Sequence, residues 1–159
     1  MKITILCVGK IKERFFTDAI SEYEKRLGRY CQLSIVEVPD EKTPDKASEK
    51  EEEQIKEKEG KRLLSKIKED MYVITLAISA RQPDSVAFAQ KLKSLTTYGT
   101  SHIAFVIGGS LGLSGEVLSH ADESVSFSNM TFPHQLMRVI LLEQIYRSFR
   151  INANEPYHK

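Results

Sequence analysis

Residues 129–159 read NMTFPHQLMRVILLEQIYRSFRINANEPYHK, and they join a polar turn, a long apolar helix and a polar, aromatic tail. The turn ends at Pro133, which suits the first turn of a helix because its missing N–H would have no partner there. The tail places Asn, Tyr and His side chains in close order, whereas disordered termini are generally poor in aromatic residues. This stretch predicts a helix from Pro133 to Phe149 that delivers its tail to a functional site.

The apolar residues of this helix cover nearly its whole circumference, although one apolar stripe would suffice for packing on a sheet. They are Met137, Val139, Ile140, Leu141, Leu142, Ile145, Tyr146 and Phe149. The surplus predicts a second buried contact, and a homodimer interface explains it most simply. A deeply buried central helix is the alternative.

The remainder of the chain alternates short β-branched runs with helical patterns. Strands are predicted near residues 2–8, 33–38, 71–78, 103–107 and 124–127, with helical patterns between them. Such alternation predicts an α/β fold with a mostly parallel sheet and helices on both faces. At 159 residues without a linker or a repeat, the chain is expected to form one domain over residues 1–159.

The segment from Asp40 to Arg62 is dense in charge, and Ile55 is its only large apolar residue. It predicts a loop and an exposed helix that docks through Leu63, Leu64 and Ile67. A mobile lid is the alternative, but a solvated helical face is the more common outcome for such charge runs.

Composition limits the partners that can be expected. A net charge of +1 argues against nucleic-acid binding by bulk electrostatics, so RNA would be recognised by shape and a few placed arginines. No apolar run reaches membrane-spanning length and no signal sequence precedes the first strand, so a cytoplasmic protein without membrane contact is expected. Cys7 and Cys31 lie far apart and no His pair has ligand spacing, so no metal site is expected.

Three loops follow predicted strands and would open at one edge of the sheet. Gly108–Gly112 follows a buried strand, where open α/β sheets bind ligands, and glycine permits close backbone approach. The spacing matches neither dinucleotide nor P-loop motifs, so a tight turn without a ligand is an equal alternative. Residues 128–133 and 76–79 supply the other two loops, although Ser128 and Asn129 could simply form a turn. Together they predict a ligand site.

The tracts FVIGGSLGLS (105–114), FSNMTFPHQLMRVILLEQIYR (127–147) and NEPYHK (154–159) closely resemble the RlmH-type SPOUT methyltransferases. The resemblance covers the whole chain. It implies a SPOUT-type α/β knot, in which a deep C-terminal trefoil knot occupies about residues 71–159, although threaded connections are nearly absent among proteins. It also implies a homodimer that methylates N3 of a pseudouridine, position 1915 in helix 69 of 23S ribosomal RNA, on assembled ribosomes.

By the same resemblance, the knot loops bind S-adenosylmethionine. The family's cofactor positions correspond to Leu76, Gly108, Phe127, Ser128, Asn129, Met130, Thr131 and Phe132. The chain departs from many relatives at Ser79–Gln82, which replaces a glycine-bearing turn.

The implied chemistry is a displacement in which N3 of the base attacks the sulfonium methyl, with positioning supplying much of the acceleration. His158 is the tail side chain that titrates near neutrality, so it is the candidate proton acceptor. Tyr157 could stack on the base or hydrogen-bond to it. Arg138, Arg147 and Lys159 could hold phosphate or the uracil oxygens, with Arg138 grouped among the catalytic candidates. The alternatives are structural: Arg138 pairing inside the dimer, Arg147 pairing with Glu143, and Tyr157 packing the tail down.

Two other functions fit parts of the sequence. One is a SPOUT methyltransferase directed at tRNA, although such enzymes commonly carry added RNA-binding segments. The other is a nucleotide-binding α/β module without catalysis.

Overall fold

The computed structural model describes every residue from Met1 to Lys159 and contains five strands and five helices. The strands are β1 (Lys2–Val8), β2 (Gln32–Val38), β3 (Tyr72–Arg81), β4 (His102–Ile107) and β5 (Glu123–Val125). The helices are α1 (Arg14–Leu27), α2 (Glu49–Leu64), α3 (Ser85–Thr97), α4 (Gly115–His120) and α5 (His134–Asn152). All strand pairs are parallel, in the order β2-β1-β4-β3-β5, which confirms the predicted α/β sheet.

Alternating side chains of the central strands form two apolar layers. In β1, Ile3, Ile5 and Cys7 join the larger cluster, which also includes residues of α1, α3 and α5. Leu6 and Val8 join the smaller cluster on the other face, with residues of α2 and α4. Successive strand residues point to opposite faces, so the buried run of β1 supports helices on both sides, as predicted.

Helix α5 lies in the middle of its layer and contacts α1, α3 and β4. Leu141, Leu142 and Ile145 are fully buried, and no residue of α5 is fully exposed. Burial against two flanking helices therefore accounts for much of the apolar surface that suggested a dimer. No helix of the fold combines the length and the apolar character needed to cross a bilayer.

The charge-dense segment forms α2, which begins at a capping box between Ser48 and Glu51. It docks as expected through Leu63, with Leu64 and Ile67 partly buried against the same cluster. Sequence reasoning missed the buried Glu59, which stands within the charge run.

Strand β3 is longer than predicted, and β5 is shorter. The segment expected to be a loop around Arg81 rejoins the sheet, since Arg81 pairs with Val125 and accepts a hydrogen bond from the Ser126 N–H at 2.9 Å. The pairing register shifts between Leu76 and Arg81, so residues 77–80 bulge out of the ladder. With β5 ending at Val125, residues 126–133 are free to form a loop beside this bulge. The trefoil knot stays a prediction.

Gly60 permits the close contact between α2 and α4. A Cβ at this position would collide with the Ser114 Oγ and lie 3.1 Å from the Val117 Cγ2. Ser114 cannot move without cost, because its hydroxyl caps α4 by accepting from the Val117 N–H at 3.2 Å.

We expect Gly60→Ala to lower the free energy of unfolding by about 1–3 kcal/mol in urea titrations. Gly115→Ala is the matched control, since no atom lies within 4 Å of its Cβ. Equal stability of the two variants would contradict this account of the helix contact.

Candidate active site

The three predicted loops do converge, around a cavity of about 660 Å³ at the carboxyl edge of the sheet. Its walls are residues 76–78 of β3, the last residue of β4 with the turn after it (107–112), and most of residues 125–137. The volume is typical of small-molecule sites, which range over about 300–1,000 Å³. Half of the 20 lining residues are hydrophobic, a mixture that suits a ligand with both a ring and polar groups.

The cavity brings together seven of the eight residues predicted to bind the cofactor. They are Leu76, Gly108, Phe127, Ser128, Met130, Thr131 and Phe132. Asn129 is the exception, because its side chain turns to Gln82 and accepts a hydrogen bond from the Gln82 Nε2 at 2.6 Å. Asn129 therefore links the 126–133 loop to Gln82 after β3, and it does not line the cavity. Its cofactor-binding role stays a prediction.

Gly108 is required by the packing of its own loop. A Cβ at Gly108 would lie 2.6 Å from the Gly112 carbonyl carbon and 2.7 Å from its oxygen. The loop folds back on itself, since the Gly112 N–H donates to the Gly109 carbonyl at 3.0 Å and Gly112 adopts a φ of +88°. The tight-turn alternative explains this glycine, and the turn still forms a wall of the cavity.

The hydroxyls of the 126–133 loop serve its own conformation. The Ser126 Oγ donates to the Ser128 carbonyl at 3.0 Å, and the Ser128 Oγ accepts from the Met130 N–H at 2.9 Å. These bonds confirm that Ser128 forms a turn. They also leave the Met130 side chain 72% exposed at the mouth of the cavity.

Behind the glycine loop lies a carboxylate that sequence reasoning did not select. The Glu59 Oε1 is 3.1 Å from the position that a Gly109 Cβ would occupy, and its Oε2 accepts from the Glu41 N–H at 2.9 Å. Burial raises the pKa of Glu59 above its ordinary value. Glu59 thus joins α2 to the loop after β2, directly against the cavity wall. Sequence alone could not identify Glu59, because it is one of many charged residues in this segment and only tertiary packing distinguishes it.

Arg138 holds α5 against the ends of two strands. Its side chain is 2% exposed, and the Nη1 donates to the Glu37 Oε2 at 2.6 Å. The Nη2 donates to the carbonyls of Gly9 at 2.7 Å and Val8 at 3.3 Å. The catalytic role predicted for Arg138 does not fit this position, because its terminal nitrogens are occupied inside the protein. The alternative, in which Arg138 forms an ion pair inside a dimer, is nearer to the structure, but its partner Glu37 belongs to the same chain.

Tyr157 and Arg147 meet at the other end of α5, where the tail folds back onto the helix. The Tyr157 hydroxyl donates to the Glu143 Oε1 at 3.0 Å, and the Arg147 Nη2 donates to the same oxygen at 2.6 Å. The Arg147 guanidinium lies 4.7 Å from the centre of the Tyr157 ring, within cation–π distance. Within the single chain, Arg147 therefore pairs with Glu143 and Tyr157 packs the tail onto the helix, as the two structural alternatives predicted.

His158 belongs to the same cluster. Its Nδ1 lies 3.1 Å from the Arg147 Nη1, and a guanidinium can only donate, so Nδ1 accepts and the proton of the neutral ring is on Nε2. The ring has no lone pair left for a substrate proton unless it leaves Arg147. Lys159, the last residue, is exposed.

Within one chain, the tail cluster and the cavity lie on different turns of α5. His134 lines the cavity at the start of α5, and Arg147 follows thirteen residues later. At about 1.5 Å of rise per residue, the helix separates them by about 20 Å. The predicted cofactor residues thus lie together around the cavity, and the predicted tail residues lie together near Arg147, but the two groups do not contact each other. This separation could have been predicted from the sequence, because the helical segment between the two groups of residues is long.

The burial of Arg138 predicts a loss of stability when it is replaced. Arg138→Met removes the partner of Glu37 and leaves the Val8 and Gly9 carbonyls without donors, so we expect a loss of about 3 kcal/mol, measured by urea unfolding. Arg147→Met is the control, because its guanidinium is at the surface of the tail cluster. A stable Arg138→Met protein that had lost activity would instead favour a direct catalytic role.

Comparison with known proteins points to methyl transfer. A family model described as "Predicted SPOUT methyltransferase" matches residues 1–158. The chain is 61% identical to the ribosomal RNA large subunit methyltransferase H of Bifidobacterium adolescentis over 159 residues, which is 100% of both chains. It is 60% identical to the ribosomal RNA large subunit methyltransferase H 1 of Clostridium perfringens, again over 100% of both. A probable methylase family protein from Haemophilus influenzae shares the fold, with a TM-score of 0.55 and 15% identity over 99% of this chain and 70% of that one.

Proposed function

The chain belongs to the SPOUT methyltransferase family, and from this we propose that it methylates ribosomal RNA with S-adenosylmethionine as the methyl donor. The specific target proposed is N3 of a pseudouridine in helix 69 of 23S ribosomal RNA, on assembled ribosomes. The whole chain would act as one domain, with its knot over about residues 71–159. The observation that carries the proposal is the convergence of three separate loops on one cavity at the edge of the sheet.

The residues around this cavity fit S-adenosylmethionine. Leu76 and Phe127 supply apolar walls for an adenine ring, and Thr131 adds a hydroxyl at the mouth. The tight turn at Gly108–Gly112 supplies part of the remaining wall. When bound, this cofactor supplies an electrophilic methyl group. The protein's part is to hold donor and base in line and to exclude water.

The tail is proposed to act on the target base. Tyr157 presents a ring for stacking, and the exposed Lys159 presents a charge for phosphate. Arg147 contributes less to phosphate binding in the arrangement seen, because Glu143 neutralises it. His158 would serve as a proton acceptor only after it separates from Arg147, so RNA binding would have to rearrange this cluster.

The separation of about 20 Å along α5 favours a homodimer in which the tail of one chain faces the cavity of its partner. One stripe of α5 points away from both apolar clusters and runs from the cavity to the tail. It consists of Leu136, Ile140, Glu143 and Arg147, all of them partly buried. Two partly accessible apolar residues in such a stripe suit an antiparallel contact between two copies, which would bring each tail to the other chain's cavity.

The cavity assignment predicts that filling it blocks cofactor binding. Ala77 lines the cavity, so Ala77→Phe should lower the affinity for S-adenosylmethionine at least about tenfold by calorimetry, since the ring would occupy ligand space. Methylation of ribosomes lacking the modification should fall with it, as read by mass spectrometry of the isolated ribosomal RNA. Ala80→Phe is the matched control, because Ala80 belongs to the same bulge but does not line the cavity.

The outcomes separate the competing functions. Wild-type protein that binds S-adenosylmethionine but methylates only tRNA would favour the tRNA-directed alternative. Protein that binds a nucleotide but not S-adenosylmethionine would favour the module without catalysis. Equal cofactor affinity for Ala77→Phe and Ala80→Phe would refute the placement of the cofactor.

Mixed dimers test whether the site combines two chains. Ala77→Phe keeps its tail but loses its cavity, whereas a chain ending at Pro156 keeps its cavity but loses Tyr157, His158 and Lys159. Each should be inactive alone. Co-expressed with different affinity tags and purified as the mixed dimer, they should recover about half of the wild-type rate, because one of two composite sites is complete. No recovery in a verified mixed dimer would show that the tail serves the cavity of its own chain. Activity of the truncated chain alone would show that the tail only packs.

A further inference from the structure

A second cavity adjoins the first one and differs from it in chemistry. It has a volume of about 550 Å³ and lies between the turn after β1, the end of β2 and the first turn of α5. Only one of its ten lining residues is hydrophobic. Its charged and polar walls include Lys10, Lys12, Glu13 and Asp40. A ligand in this space would be held by hydrogen bonds rather than by apolar burial.

His134 and Gln135 line both cavities. They form the first turn of α5, and Arg138 fixes that helix to the carbonyls of Val8 and Gly9 just one turn later. The two cavities therefore share part of their lining, so ligands bound in them would be neighbours. Transfer between two bound molecules requires such adjacency, with the reacting groups aligned.

His134 has no hydrogen-bond partner within the protein. Its Nδ1 is buried without a partner, and its Nε2 is accessible and makes no hydrogen bond. Burial, and then the positive charge of Arg138, lower the pKa of His134 below its ordinary range, although Asp40 and Glu13 act in the opposite direction. The ring is therefore neutral near pH 7 and can either donate or accept at Nε2. Since Nε2 makes no hydrogen bond within the protein and the ring lines both cavities, this nitrogen is free to bond to a ligand in the second cavity.

We propose that the second cavity receives the target base, with the Nε2 of His134 against the base's hydrogen-bonding edge. This inference rests on the function proposed above and extends it to the site of the acceptor. A uracil-type edge alternates carbonyl, N–H and carbonyl groups. The ammonium groups of Lys10 and Lys12 can donate to the carbonyls, and the carboxylates of Asp40 and Glu13 can accept from the N–H, as in the recognition of splayed RNA bases.

The charge balance argues against a free anion as the occupant. Lys10 and Lys12 are matched by the carboxylates of Glu13 and Asp40, and Glu37 is paired with Arg138. The cavity thus has no excess positive charge that would concentrate phosphate. A lining that offers both donors and acceptors suits a neutral ring better than a phosphate group.

The position of the contacting nitrogen gives a test that a merely structural role would not pass. A glutamine amide reaches approximately to the Nε2 position of histidine, whereas an asparagine amide reaches only to Nδ1. With saturating ribosomes, we expect His134→Asn to lower the single-turnover methylation rate on the order of a hundredfold. His134→Gln should retain most of the rate. Affinity for S-adenosylmethionine should stay within about threefold of wild type for both, since the cofactor cavity keeps its other walls.

Two control substitutions accompany these variants. His120→Asn changes an exposed histidine at the end of α4, which lines neither cavity, and should leave the rate unchanged. Lys68→Ala removes a lysine before β3, at the opposite edge of the sheet, and should also have no effect. By contrast, Lys10→Ala with Lys12→Ala should lower the rate at saturating ribosomes, beyond any weakening of ribosome binding.

The outcomes are distinguishable. Wild-type rates for His134→Asn and the double lysine variant, with an active wild-type enzyme, would overturn this inference and leave the proposed function standing. Equal losses for His134→Asn and His134→Gln, together with loss of cofactor affinity, would give His134 a structural role and overturn it as well. An inactive wild type would refute the function and, with it, the need for a target-base site.

Discussion

The buried guanidinium of Arg138 fixes the geometry on which the site depends. It joins the first third of α5 to Glu37 on β2 and to the last carbonyls of β1, at the edge of the sheet where the loops open. Burying a charge is costly unless it is paired and hydrogen-bonded, and only the two terminal nitrogens of Arg138 have partners, since its Nε has none. These contacts therefore favour one position of the helix relative to the strands. His134, one turn earlier, is thereby placed at the wall between the two cavities. A buried ion pair thus acts on the site through position, without any contact to substrate.

If the tail and the cavity act together, as proposed, the length of α5 bears on how many chains a complete site needs. The helix rises for about 20 Å between His134 and Arg147, and the apolar core on both flanks buries it. A tail attached at the far end cannot return to the cavity while Tyr157 and His158 are bonded to Glu143 and Arg147. A second copy of the chain is the simplest source of a tail near each cavity. The half-buried stripe of Leu136 and Ile140 gives such a copy a surface to contact.

Much of this fold could be predicted from sequence, because strand alternation and helical spacing are local signals. β1 was predicted to the residue, and the parallel arrangement followed from the alternation of strands and helices. The continuation of β3 to Arg81 could not be predicted, since it depends on pairing with β5 forty-four residues later. The burial of Arg138 and Glu59 was equally inaccessible, because charged residues look alike in sequence until their tertiary partners are known. The three loops were found correctly, since the carboxyl ends of parallel strands share an edge.

The two cavities differ in the chemistry of their linings. The first has a lining that is half hydrophobic, which suits a cofactor with a flat ring. The second is almost entirely polar and balanced in charge, which suits a neutral base with alternating donors and acceptors. Methyl transfer needs both molecules in line at close range, and a mobile connection between their sites would lose that alignment. Here the connection is the first turn of a buried helix. Its position is set by hydrogen bonds to the end of β1, so in the proposed arrangement the core, rather than the loops, would set the distance between donor and acceptor.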